Sequence, residues 1–119
     1  MRVKGGPHTR RRHKKVLKMT KGHHGVRHSR FRAANESLMH ALKHAYVGRK
    51  LKKRDFRKLW IVRINAALRK LGLTYSVFMG WLKKQNIQVN RKVLADMAFS
   101  DFEAFKNFVE QVKGKAAQS

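Results

Sequence analysis

The chain has no cysteine, a single proline and only six acidic residues among 119. Without cysteine there is neither a disulfide framework nor a thiolate zinc site, which argues against a small secreted scaffold and fits a reducing compartment better. Long apolar runs are missing as well. The longest charge-free apolar-rich stretch, residues 71–82, contains two glycines and falls short of the roughly 20 residues that a membrane span needs, so a soluble protein that does not engage a membrane is expected. Near the N-terminus charges follow one another with no apolar h-region, which predicts no secretory signal. The acid-free, Arg-rich first 35 residues share the composition of an organelle transit peptide but show no clean apolar stripe.

What is present is positive charge. Thirty Lys and Arg against six Asp and Glu give a formal charge of +24, an excess that argues against an ordinary small enzyme. Hydrophobic residues make up 42% of the chain, close to a globular value, so a folded part is expected despite the self-repulsion. Cutting after Lys58 separates two kinds of chain. Residues 1–58 hold 20 basic and two acidic side chains, while residues 59–119 hold ten and four, together with eight of the eleven aromatics. The second part can make a core and the first is a basic extension.

Residues 59–119 read as helical, because apolar residues recur at three- and four-residue spacing with no strand-like alternation. Ile61, Ile64, Leu68 and Leu71 form one stripe, and Gly72-Leu73 is a helix stop in which glycine takes the left-handed position and leucine packs back. A second helix from Thr74 or Tyr75 to Gln85 carries Tyr75, Phe78, Met79 and Leu82, with Asn86-Ile87 repeating the same ending. Asn90 is placed to cap a short helix containing Val93, Leu94 and Met97. Ser100 with Glu103 reads as a capping box opening a last helix lined by Phe102, Phe105, Val109 and Val112, with Gly114 as its stop. Short links between four helices imply a compact bundle. In residues 1–58, Gly5-Gly6-Pro7 predicts an extended start, and Thr9 to Met19 a basic helix that Gly22 and Gly25 break. From Val26 to Leu71 one long helix is expected, with Gly48 the natural place for a bend. Its apolar positions Leu38, Leu42 and Ala45 look too sparse to bury it against its own chain. The fold class is all-α: a long basic N-terminal helical extension followed by a small C-terminal bundle.

The basic runs are Arg10-Arg11-Arg12 with Lys14-Lys15, then Arg27, Arg30 and Arg32, then Arg49-Lys50 with Lys52-Lys53-Arg54, then Arg57-Lys58. A solvated face normally mixes signs; here acids are nearly missing, so phosphate neutralisation with release of counterions is the better account. RNA suits cations on all sides of a rod better than DNA does, since a DNA reader usually presents one basic face and a dimer element. An architectural DNA-binding protein is the rival. His24 with His28, and His40 with His44, have a spacing that can chelate a metal from a helix. Neither pair sits in HExxH, however, and neighbouring cations oppose a dication, so no metal or other cofactor is expected. Gly22-His23-His24-Gly25 matches the bare GxxG pattern that clamps nucleotide backbone in some RNA-binding domains, and equally serves as a helix break. Catalysis finds no support, since the carboxylates Asp96, Asp101, Glu103 and Glu110 sit at caps and helix surfaces and no histidine follows His44; a metal-dependent nuclease is the distant enzyme alternative. Phe102, Phe105 and Phe108 have the spacing of a buried face rather than a base-stacking platform.

The segment Lys53-Arg54-Asp55-Phe56-Arg57-Lys58-Leu59-Trp60-Ile61-Val62-Arg63-Ile64-Asn65-Ala66-Ala67-Leu68-Arg69 resembles the signature of the bacterial-type large-subunit ribosomal protein twenty family. The likeness extends through Arg11-Arg12-His13-Lys14-Lys15-Val16-Leu17-Lys18, Lys21-Gly22 and Gly25, Tyr75-Ser76, and Asn90-Arg91-Lys92-Val93-Leu94-Ala95-Asp96. It departs at His23-His24, where relatives commonly carry aromatics, and at His44. The resemblance implies a non-enzymatic constituent of the large ribosomal subunit in the cytoplasm, with an organelle ribosome also compatible. It implies direct binding to large-subunit ribosomal RNA, a role in early subunit assembly, and no part in peptidyl transfer or in binding a small-molecule substrate. Neighbouring large-subunit proteins, protein twenty-one among them, are the implied protein partners. With the basic runs, the expected RNA-binding set is Arg2, Lys4, Arg10, Arg11, Arg12, His13, Lys14, Lys15, Lys18, Lys21, Gly22, Gly25, Arg27, Arg30, Arg32, Arg49, Lys50, Lys52, Lys53, Arg54, Arg57, Lys58, Arg63, Asn65 and Arg69.

Overall fold

The computed structural model describes residue 2 and residues 4–118. Its described residues form helices α1 (Gly6–Met19), α2 (Phe31–Lys70), α3 (Tyr75–Lys84), α4 (Arg91–Ser100) and α5 (Phe102–Ala117), with a 3-10 turn at Gly25–His28. The all-α class expected from the spacing is the one found. The chain divides into two compact units, Met1–Leu51 and Lys52–Ser119, and α2 contributes to both.

In the first unit α1 begins at Gly6, three residues before the Thr9 expected from sequence. Gly5 has φ 84° and Pro7 falls in the first turn, where its missing N–H would have had no partner anyway. The helix ends at Thr20, which is fully buried and whose N–H donates to the Val16 carbonyl at 3.1 Å. Gly22 (φ 84°) and Gly25 (φ 61°) then turn the chain. The break is longer than the two glycines alone suggest, so the long helix starts at Phe31 instead of Val26. Both the N–H and the hydroxyl of Ser29 donate to the Val26 carbonyl, at 3.1 and 3.3 Å, closing the 3-10 turn before α-helix can start.

The beginning of α2 is also better covered than its apolar pattern suggests. The rings of His13 and Phe31 stack with centroids 3.8 Å apart and planes 19° apart. His23 Nδ1 lies 2.7 Å from Ser37 Oγ, and Ala34 is fully buried. A histidine face, a hydroxyl and a methyl group carry this packing, and none of them registers as a hydrophobic stripe. Further along, the expectation holds: every residue from Leu42 to Leu59 is exposed, and the helix runs through Gly48 uninterrupted.

The second unit is built round Ile64, Ala67 and Leu68 of α2, Phe78 and Leu82 of α3, Leu94 and Ala95 of α4, and Phe105, Val109 and Val112 of α5. Each large side chain removed from water contributes roughly 1.5–3 kcal/mol. Phe78 sits at the centre, 6.3 Å from both Phe105 and Phe108, the latter edge-on at 80°. α3 and α4 both pack on α5.

The helix ends mostly follow the sequence signals. After α2, Gly72 takes φ 73° and the Leu73 N–H returns to the Leu68 carbonyl at 3.0 Å. After α3, Asn86 takes φ 54° and the Ile87 N–H returns to Leu82 at 2.9 Å. Asn90 caps α4 through its side-chain oxygen, which accepts from the Lys92 N–H at 3.0 Å. Two endings differ. The cap of α5 is Asp101, whose Oδ1 accepts from the Ala104 N–H at 3.0 Å, while Ser100 is still in the last turn of α4. Ser100 is still helical, whereas Asp101 has the non-helical φ −140°, ψ 87° that an N-cap needs; its N–H also closes α4 on the Met97 carbonyl at 2.9 Å, so one residue serves two helices. Gly114 does not stop α5, which continues to Ala117. Glycine inside a helix costs only about 1 kcal/mol, and here no apolar residue follows it to pack back.

Candidate nucleic-acid interface

The cations expected to meet RNA are carried by three pieces of backbone. Arg10, Arg11, Arg12, Lys14, Lys15 and Lys18 lie on α1, and all are exposed. Arg2 and Lys4 precede the helix and are exposed too. His13, on the same helix, is half-buried with one ring face against Phe31, so its role in the fold is to join α1 to α2. Lys21, Arg27 and Arg30 lie in the turns between the helices. Gly22 and Gly25 both have positive φ, and a Cβ at either would meet nothing within 4 Å. Backbone is thus open to close approach at the GxxG segment. Within it His24 is extended rather than helical, and His28 Nδ1 lies 3.1 Å from the His23 carbonyl. The helical premise behind a His24–His28 chelate therefore fails. Among the described residues no group of three or more His, Asp or Glu converges as a metal ion would require.

The third piece is α2. Between Leu42 and Leu59 eight Lys and Arg stand against one acid, Asp55, all exposed. Asp55 Oδ1 is 4.0 Å from Lys58 Nζ, an i,i+3 pair with both side chains well exposed, which adds little because water and salt screen it. Lys50 Nζ rests 4.3 Å from the Tyr46 ring centroid and Lys52 Nζ 5.9 Å from that of Phe56. These aliphatic stems lie along aromatic surface while the charges stay in solvent. Farther along, Arg63 stands over the ring of Phe99, at 5.0 Å, and Phe99 itself is 74% exposed. Asn65 is half-buried and Arg69 exposed.

In the second unit some of these residues meet others that sequence reasoning did not assign to a site. Lys52, Lys53, Arg54, Phe56, Arg57 and Trp60 on α2 form an open groove of about 850 Å³ with Asn90, Arg91 and Lys92 at the start of α4. The guanidinium of Arg91 is held in place by its Nε, which donates to the Tyr75 hydroxyl at 2.8 Å. Phe56 and Trp60 stand with ring centroids 6.2 Å apart and planes 38° apart. Asn90, Arg91 and Lys92 lie thirty or more residues along the chain from the α2 side chains they face, and Asn90 is legible in sequence only as a cap. The signal available was the basic pair Arg91-Lys92 at a helix start, where the macrodipole already favours an anion.

Fold and surface together define a small all-α protein with an overwhelmingly cationic exterior. The profile of the family "Ribosomal protein L20" matches residues 2–108. Large ribosomal subunit protein bL20 of Alkaliphilus metalliredigens is 59% identical over 114 residues, covering 96% of either chain. Its namesake in Acetivibrio thermocellus is 58% identical over 112 residues, 94% of this chain and 96% of the relative. That of Mycoplasmoides gallisepticum is 54% identical over 115 residues, 97% of this chain and the whole of the relative. The chain belongs to the ribosomal protein L20 family.

Proposed function

We propose that this protein is a structural constituent of the large ribosomal subunit that binds large-subunit ribosomal RNA directly and supports early assembly of that subunit. The observation that carries the reading is the run from Leu42 to Leu59: five turns of helix, all exposed, with eight cations to one acid. Such a surface gains little from its own chain and is matched by a dense array of phosphates. The relatives are named for the large subunit, which supplies the ribosomal context and a cytoplasmic location, and the family is one of structural components rather than enzymes. In this reading residues 1–58 enter folded RNA and residues 59–119 seat on its surface. The predicted cations of α1, the glycine turn and α2 then supply phosphate contacts, with Arg57, Arg63, Asn65 and Arg69 at the margin of the bundle. Neighbouring large-subunit proteins, protein twenty-one included, complete the surroundings.

The test is binding of large-subunit rRNA fragments across a salt series, with duplex DNA as competitor. Six to ten phosphate contacts weaken affinity about 10³- to 10⁵-fold between about 50 and 200 mM salt. A nearly flat log–log plot would rule out polyphosphate contact. Equal competition by duplex DNA would move the protein to the architectural DNA-binding class.

A further inference from the structure

We infer that the groove between α2 and the start of α4 is a site for one unpaired RNA nucleotide, its base stacked on Phe56 and Trp60 and its phosphate held by Arg91. The inference rests on the rRNA-binding reading and adds what that reading leaves open: a place where the protein meets a base instead of backbone alone.

Two features of the groove separate it from the rest of the basic surface. Its wall is aromatic as well as cationic: Phe56 is 44% exposed, and Trp60, although packed against the core on one side, also lines the groove. Phosphate neutralisation does not need π faces. A duplex keeps its bases within its own stack and would set ribose and phosphate against these rings. An unpaired base, in contrast, gains by lying on them. The volume, about 850 Å³, falls within the roughly 300–1,000 Å³ of small-ligand sites.

The polar groups complete the match. With Nε committed to Tyr75, Arg91 has its two terminal nitrogens left to present as a fork, the arrangement that grips a phosphate bidentately. Asn90 uses its oxygen to cap α4, which leaves its amide N–H groups to donate to a ring nitrogen or carbonyl of the base. Arg57 and Lys92 also line the groove and serve the neighbouring phosphates of the bound strand. The first turn of α4, a ten-residue helix, adds its positive end to the same place.

The chain has two tryptophans, so a full-length Trp81→Phe protein reports from Trp60 alone. It is titrated with a short single-stranded oligoadenylate and with an RNA duplex of the same length. The single strand is expected to quench Trp60 emission, because a base stacked on the indole quenches it, while the duplex binds without comparable quenching. Adding Phe56→Ala weakens the single-strand affinity read at Trp60 by roughly 5- to 150-fold, the range measured for loss of one stacking partner. Phe56→Tyr restores it, and duplex affinity stays unchanged in both. Far-ultraviolet circular dichroism confirms that each variant is folded. Binding of both RNAs with equal quenching, or with none, or with no effect of Phe56→Ala, overturns the nucleotide site and leaves the rRNA reading intact. Failure of both RNAs to bind at low salt overturns both readings.

Discussion

Gly48 sits in the middle of the exposed part of α2, and replacing it by alanine isolates the intrinsic cost of that helix. Its φ is not positive and a Cβ built there meets nothing within 4 Å, so the substitution neither relieves strain nor creates a clash. What remains is the difference in helix propensity, about 0.8–1.0 kcal/mol in favour of alanine, with no tertiary contact to dilute it because Leu42 to Leu59 are all exposed. That is a factor of about four to five in the equilibrium between helix and local opening. Hydrogen exchange of the free Gly48→Ala protein, followed by mass spectrometry, should therefore slow by about that factor in peptides spanning Lys43 to Lys53. To the extent that the segment completes its helix only on RNA, affinity for rRNA rises by no more than the same factor, since less ordering remains to be done on binding. Unchanged exchange together with unchanged affinity would refute the reasoning, because a helix through Gly48 must register the substitution in one of the two. Gly48→Pro provides the opposite control, a loss of about 3 kcal/mol or more.

Two further outcomes test the second unit. Phe105→Ala removes a fully buried ring that faces Phe78 and should cost about 3–5 kcal/mol, a large part of the total stability of a small domain; a thermal melt lowered by only a degree or two would contradict the assigned core. Asp101→Ala should lower stability in urea by about 1 kcal/mol, the usual loss of an N-cap, whereas Ser100→Ala should change it by a few tenths at most, and the reverse order would restore Ser100 as the cap.

Where a structural choice rests on adjacent residues, it was legible. Gly72-Leu73 and Asn86-Ile87 each name a helix end because the left-handed residue and the apolar residue that packs back are neighbours in sequence, and both returning hydrogen bonds are formed. The buried stripes of α2, α3 and α5 show in their spacing for the same reason. Where the choice depends on competition, sequence alone was insufficient: Ser100 and Asp101 are both good caps, and Asp101 serves because α4 continues through Ser100. The contact of α1 with α2 was hidden because His13, Ser37 and Ala34 carry it, and no hydrophobic count weighs such residues. The groove was hidden for a topological reason, since Trp60 and Arg91 become neighbours only after α3 has reversed the chain.

Asp101 has a mechanical consequence as well. No loop separates α4 from α5, so the chain turns between them at one backbone position, φ −140° and ψ 87°, pinned by a hydrogen bond on each side. α4 is then a stiff lever about 15 Å long with Arg91 at its far tip, and a swing of about 10° at the corner would carry that tip roughly 3 Å, a whole hydrogen-bond length. The placement of Arg91 therefore depends on both ends of its helix: the Tyr75 hydroxyl that holds its guanidinium, and a corner aspartate that never approaches the groove.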